Sequence, residues 1–178
     1  MTNMLMPKRL PIRYYPDAIL HQKCAPVTEV TESVKQLASD MLLTMMQCRG
    51  LGLAAPQVGV PIRLFVVDVE WPDGVENSTS YIFINPTLRL LEPTVKSVEG
   101  CISFPGERFE LTRASRIEVD ALDLDGKPFT LEAEGLLAVA IQHEYDHLEG
   151  KTGAESLSWL KRNLLRKKVE KLTKSNVR

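Results

Sequence analysis

Residues 136–150, LLAVAIQHEYDHLEG, decide how the rest of the chain is read. His143 and His147 are four apart, so on a helix they project from one face, one turn above the other. That spacing lets two imidazoles bind one divalent metal. Glu144 lies about 100° round the helix from His143, where it reaches a water beside the metal without being a ligand. Leu136, Val139 and Ala140 fall on the histidine face. The segment therefore predicts a helix with a metal site and an apolar wall beside it, buried in the middle of the fold. Two of the chain's 3 histidines belong to this pattern, which points to a metal hydrolase.

Working outward, Gly135 separates this helix from a hairpin over residues 116–133. Asp125-Gly126 marks its turn, and Phe129, Leu131 and Ala133 alternate on the return strand. On the other side, residues 156–174 predict a C-terminal helix with Leu157, Leu160, Leu164, Leu165, Val169 and Leu172 as its apolar stripe. Toward the N-terminus, residues 88–98 read as extended with a break at Pro93. Residues 81–84 read as a strand ending at Asn85-Pro86, 71–80 as a loop, and 64–69 (LFVVDV) as a strand rich in β-branched residues. Residues 50–59, GLGLAAPQVG, are small and glycine-punctuated, so a ligand or another backbone can approach closely. They match neither a phosphate loop nor a dinucleotide fingerprint. Taken by itself, Gln57 reads as a surface-loop glutamine. Before it, Val34, Leu37, Ala38, Met41, Leu42 and Met45 predict an amphipathic helix capped by Thr28 or Thr31 and ended by Gly50. Residues 1–16 are broken by prolines, and 1–8 read as a loose tail.

Short strands followed by a central and a terminal helix give an α+β fold, with antiparallel β-sheets folded around the metal-binding HExxH helix. Residues 1–178 read as a single catalytic domain, large enough to bury a good core. The composition, 44% hydrophobic and 25% charged with net charge −1, is that of a soluble globular protein. It offers no whole-protein reason to bind DNA or a membrane. The longest apolar run, residues 136–141, is far too short to span a bilayer, and no signal-peptide pattern opens the chain. Cys24, Cys48 and Cys101 are odd in number and irregularly spaced, which favours free thiols in a reducing cytoplasm.

Two histidines leave a catalytic metal short of one protein ligand. No histidine follows His147. Glu155 and Glu170 are candidates in polar helical surroundings. Upstream, Cys101 lies in EGCISFPG (99–106), where glycines and a proline hold a thiol in a loop, and a thiol beside a metal ionises readily.

GLGLAAPQVG (50–59), EGCISFPG (99–106) and QHEYDHLEG (142–150), in this order, resemble the three signature motifs of peptide deformylases. The resemblance extends over about residues 10–172, through Tyr15-Pro16-Asp17, Ile84-Asn85-Pro86 and the hairpin before the helix. Ile102 stands where leucine is usual, Leu51 where isoleucine is usual, and Val98 where some members carry a second glutamate. The long C-terminal helix resembles the bacterial-type enzymes.

That resemblance implies a hydrolase removing the N-terminal formyl group from formyl-Met nascent polypeptides and releasing formate. It implies Cys101, His143 and His147 as metal ligands, with Fe2+ as the native ion and Zn2+, Ni2+ or Co2+ able to replace it. Glu144 would shuttle the proton, and Gln57 with the Ile102 backbone N–H would stabilise the oxyanion. The backbone of Gly52 and Gly100 would bind the peptide as an added strand. Leu136, Val139 and Ala140, with Leu51 and Glu99, would line the methionine pocket, and Arg108 would lie near it. From Lys161 onward the chain has eight basic residues against one acidic, the composition of a solvated helix or of a ribosome contact. The competing readings are a zincin-like metallopeptidase and a catalytically silent ribosome-associated binding protein. Intact Gln57, Glu144 and three candidate ligands argue against the silent form. A monomer is expected.

Overall fold

The computed structural model of the chain describes residues 6–74, 76 and 78–175. The expected tail at 1–8 therefore lies outside the described residues for its first five positions, as do 75 and 77 of the expected loop and the end of the chain after 175. In chain order the elements are α1 (Glu32–Gln47), β1 (Gly52–Ala54), β2 (Leu64–Val67), β3 (Tyr81–Cys101), β4 (Phe104–Leu122), β5 (Pro128–Glu134), α2 (Gly135–Leu148) and α3 (Trp159–Ser175). All strands belong to one five-stranded sheet in the order β1-β2-β3-β4-β5, each antiparallel to its neighbour. The expectation of several sheets is corrected to one continuous meander.

That continuity comes from two prolines that do not end β3. The register shifts between Ile84 and Thr87 and again between Leu91 and Thr94, so each proline sits in an irregularity where no ladder donor is needed. Asn85 takes a left-handed conformation, φ 51°, which asparagine tolerates better than most residues. Its side chain accepts from Val27 N (2.8 Å) and donates to Val27 O (2.8 Å), fastening β3 to the segment before α1.

β2 is buried on both faces, and its alternation divides the core. Phe65 and Val67 join Phe83, Ile117, Val119, Ala138 and Ile141 in the cluster that includes α2. Leu64 and Val66 join Met41, Met45, Leu53 and Ile84 in the cluster that includes α1. Such alternation follows from the two-residue period of a strand. Thr31 is the N-cap residue of α1, but its hydroxyl meets the Ser33 hydroxyl at 2.7 Å instead of a backbone N–H. Leu165 and Val169 of α3 pack with Phe104, Phe109 and Ala154 in a third cluster. The C-terminal helix begins at Trp159, not 156, because Gly153–Ser156 forms a 3-10 turn whose Thr152 N–H is taken by Glu155 Oε2 at 2.7 Å.

Gln142 ties α2 to the sheet. Its Oε1 accepts from Ala114 N (2.9 Å), and its Nε2 donates to Ala114 O (2.8 Å) and to Ala138 O (2.9 Å). The helix bearing both histidines is thus held at a set height over β4, beside the end of β3, where Cys101 is the last strand residue and not the loop residue expected.

Candidate metal centre and substrate cavity

Helical spacing brings His143 and His147 together on α2, with ring centroids 5.1 Å apart. The end of β3 brings Cys101 to them across the register shift after Gly100. One ligand atom each from Cys101, His143 and His147 lies within 4.8 Å of the others, the metal-capable group found among the described residues. Cys101 Sγ is 3.4 Å from His147 Nε2. The other two candidates for a third ligand are engaged elsewhere. Glu155 caps the turn at Thr152 and faces His21 at 3.6 Å, and Glu170 faces Arg166 at 4.0 Å.

The donor chemistry fits a divalent cation. His143 Nδ1 donates to Glu99 Oε2 at 2.8 Å, which turns Nε2 toward Cys101, the side on which a metal would bind. Burial works to lower the His143 pKa, but hydrogen bonds with Cys101 and Glu99 outweigh it and hold it well above the ordinary imidazole value. His147 is 2% exposed, and burial holds its pKa well below the usual value, so it is the neutral imidazole a metal requires. Its Nδ1 is buried without a partner.

Glu99 is held in turn by Arg113, whose Nε and Nη2 donate to its two oxygens at 2.8 Å each, while Nη1 donates to Asp146 at 2.6 Å. Burial alone would raise the Glu99 pKa. The Arg113 and His143 hydrogen bonds reverse that and bring it to about 2, so the group is a carboxylate. Glu99 was expected as a pocket residue. It borders the cavity, but its charged end is committed to orienting His143. Arg113 and Asp146 have no counterpart in the sequence reading. The one available signal was Asp146 at three residues from His143, on the neighbouring ridge of the helix.

Glu144 is 4% exposed, and burial pushes its carboxyl up to about 7. Its Oε2 has no hydrogen-bond partner. It lies directly over β1: a Cβ added at Gly52 would stand 2.4 Å from Glu144 Oε1. Gln57 is corrected from surface to core, being 1% exposed on the 3-10 turn Ala55–Val58. Its Oε1 accepts from Ala54 N at 2.8 Å, and its Nε2 reaches Ser103 Oγ at 3.2 Å and Cys101 Sγ at 3.5 Å. The bond to Ala54 orients the amide so that its N–H groups, not its oxygen, face the cysteine.

A cavity of about 940 Å³ runs past these groups. Gln57, Cys101, Ile102, Glu144 and His143 border it, as do Leu51, Gly52, Glu99, Gly100, Arg108, Leu136, Val139 and Ala140. His147 lies behind them. The wall expected on α2 is not fully covered, since Leu136 is 56% exposed where it borders the cavity. β1 is an edge strand, paired on one side by β2, so an extended peptide can add to its other edge. A buried carboxyl with raised pKa, an amide donor and a thiol–imidazole cluster around one cavity suit metal-assisted hydrolysis of an amide.

A family model of polypeptide deformylases matches residues 9–163. A peptide deformylase of Alkalilimnicola ehrlichii is 45% identical over 165 residues, covering 93% of this chain and 91% of the relative. One of Acinetobacter baumannii is 44% identical over 170 residues, covering 95% and 94%. Among solved structures, a peptide deformylase of Legionella pneumophila aligns with TM-score 0.86 at 40% identity, covering 96% of this chain and 98% of that one. The Ehrlichia chaffeensis enzyme in complex with actinonin aligns with TM-score 0.85 at 38% identity, covering 92% and 97%.

Proposed function

The chain belongs to the polypeptide deformylase family, and we propose that Cys101, His143 and His147 hold its catalytic metal while Glu144, Gln57 and the Ile102 backbone N–H carry out the chemistry. The enzyme is a metal-dependent hydrolase that removes the N-terminal formyl group from formyl-Met nascent polypeptides and releases formate. The observation that supports the residue assignment is the grouping of the Cys101 sulfur with two imidazoles, with Cys101, His143 and the buried Glu144 carboxyl bordering one cavity and His147 behind them.

When bound, the metal supplies Lewis acidity that brings the pKa of water toward neutrality and polarises the formyl carbonyl. Glu144 removes a proton from the attacking water and later delivers it to the leaving amine. A carboxyl poised at about 7 can do both at neutral pH. Gln57 Nε2 and the Ile102 N–H donate to the oxygen that gains charge as the carbon becomes tetrahedral, each such donor contributing on the order of 10²–10³ in rate. Glu99, clamped by Arg113, holds His143 in the tautomer and orientation that expose Nε2. The central α2 helix is then the metal-binding element of the fold. Gly52 and Gly100 offer backbone groups to the peptide, and Leu51, Leu136, Val139 and Ala140 take the methionine side chain.

Fe2+ is the native ion on this reading. One soft thiolate with two imidazoles suits it, and the same set accepts Zn2+, Ni2+ or Co2+. The protein works in the cytoplasm as a monomer; its three free cysteines suit a reducing compartment, and no described helix is long and apolar enough to cross a membrane. The basic face of α3 is available to the ribosome. Iron-loaded protein, purified without oxygen, should release formate from a formyl-Met peptide and leave every internal bond intact by mass spectrometry. Internal cleavage would replace this reading with a metallopeptidase.

A further inference from the structure

The backbone at the start of β1 is seated against both parts of the proposed chemistry. A Cβ added at Gly50 would stand 2.5 Å from Ile102 Cδ1, and one at Gly52 would stand 2.4 Å from Glu144 Oε1. Segment 50–52 thus touches the residue whose N–H is assigned to the oxyanion and the assigned base. β1 itself is 3 residues long and paired on one side only, so its ladder alone holds it weakly. The chain after β2 supplies the rest. Pairing of β1 with β2 ends at Gly52 and Val67, and the next donor, Asp68 N, takes Leu51 O at 2.9 Å. Past that point a side chain takes over: Trp71 Nε1 donates to Gly50 O at 2.7 Å. A buried carboxylate shapes the turn that places it. Asp68 is 0% exposed; its Oδ1 accepts from Glu70 N (3.1 Å) and Trp71 N (2.9 Å), and its Oδ2 accepts from Ser80 Oγ at 2.8 Å. Asp68 thus ties both ends of the segment between β2 and β3, and the Trp71 ring packs on the α1 cluster.

We infer that Trp71 is a positioning residue for the reaction: its indole N–H fixes the Gly50 carbonyl, and with it the seating of β1 against Ile102 and Glu144 and the strand edge to which the peptide adds. The inference rests on the deformylase reading and deepens it. Trp71 is not among the residues bordering the cavity, so it acts through the backbone of 50–52 and not by touching the peptide. Losing one neutral hydrogen bond costs folding little. A misplacement of about 1 Å among reacting groups costs about 10²-fold in rate. The effect of this bond therefore falls on the reaction more than on stability.

The test compares the metal-loaded full-length parent with Trp71→Phe and Trp159→Phe on a formyl-Met tripeptide, with metal content and melting temperature measured on the same samples. Trp71→Phe keeps a ring for the α1 cluster and loses the donor. It should melt within a few degrees of the parent, keep its metal, and lose about tenfold in kcat/KM, with kcat per bound metal lower and KM higher. Trp159→Phe, at a side chain 72% exposed on α3, should match the parent in both constants. Ser80→Ala removes one bond to Asp68 and leaves the indole in place, and it should lose about threefold in the same sense. Parental kcat and KM in folded, metal-loaded Trp71→Phe would overturn the inference. So would a loss accounted for by lower metal content alone, or the same loss in Trp159→Phe. If Trp71→Phe does not fold, parental constants in Ser80→Ala would overturn it. A parent that releases no formate would instead overturn the deformylase reading on which the inference rests.

Discussion

A single methyl group at Gly52 would collide with the proposed base. The added carbon would lie 2.4 Å from Glu144 Oε1 and 2.7 Å from its Cγ. The neighbour is a side chain, not backbone, so it can move, and the cost falls on catalysis more than on folding. Gly52→Ala should therefore lower kcat by about 10²-fold with a nearly unchanged melting temperature. A variant with parental kcat would place Glu144 outside the reaction. Its ionisation gives a second prediction. Burial raises the Glu144 carboxyl to about 7, and a base must be deprotonated to act. The kcat/KM should therefore rise with pH through the Glu144 ionisation and fall roughly tenfold per unit below it; an acid limb left in the same place by Glu144→Asp would remove Glu144 from that role. At this scale the sequence was informative where spacing carries chemistry. His143, Glu144 and His147 declare themselves by helical period, and Cys101 by the glycines and proline around it, although the structure places it at the end of β3 and not in a loop. Gln57 did not: its burial depends on Ser103 and Cys101, which lie more than forty residues away along the chain.

Elements hold these residues through side chains that pair with distant backbone. Gln142 satisfies both the N–H and the C=O of Ala114. Gln142→Ala would leave both without that partner in a buried place, and we expect a loss of about 2–3 kcal/mol in stability, read from the midpoint of a denaturant titration. A loss under half a kilocalorie, about the level of a neutral surface change, would show that water takes over these bonds. Sequence reading misses such ties for a physical reason. The Gln142–Ala114 pair spans 28 residues, Arg113–Glu99 14 and Arg113–Asp146 33. Hydrophobic period locates elements but carries no information on which polar groups meet once they dock. The same limit explains β3. Pro86 and Pro93 read as strand ends, because a local rule cannot see that register shifts accommodate them in a strand 21 residues long.

At the scale of the whole molecule, three clusters surround one two-faced sheet, with α1 on one side, α2 on the other, and α3 closing over Phe104 and Phe109. The α+β class and the positions of the three helices were legible from apolar periodicity. The single meander was not, since strand order depends on pairing across the whole chain. What the architecture achieves is to bring the end of β3, the turn after β1 and the face of α2 to one cavity. The central claim is that this convergence makes a metal hydrolase whose base is Glu144. It is tested most directly by comparing metal content and formate release for the iron-loaded parent and Glu144→Gln. The account predicts equal metal occupancy and a fall in turnover of about 10²–10⁴-fold. Parental turnover in a variant that keeps its metal would contradict it.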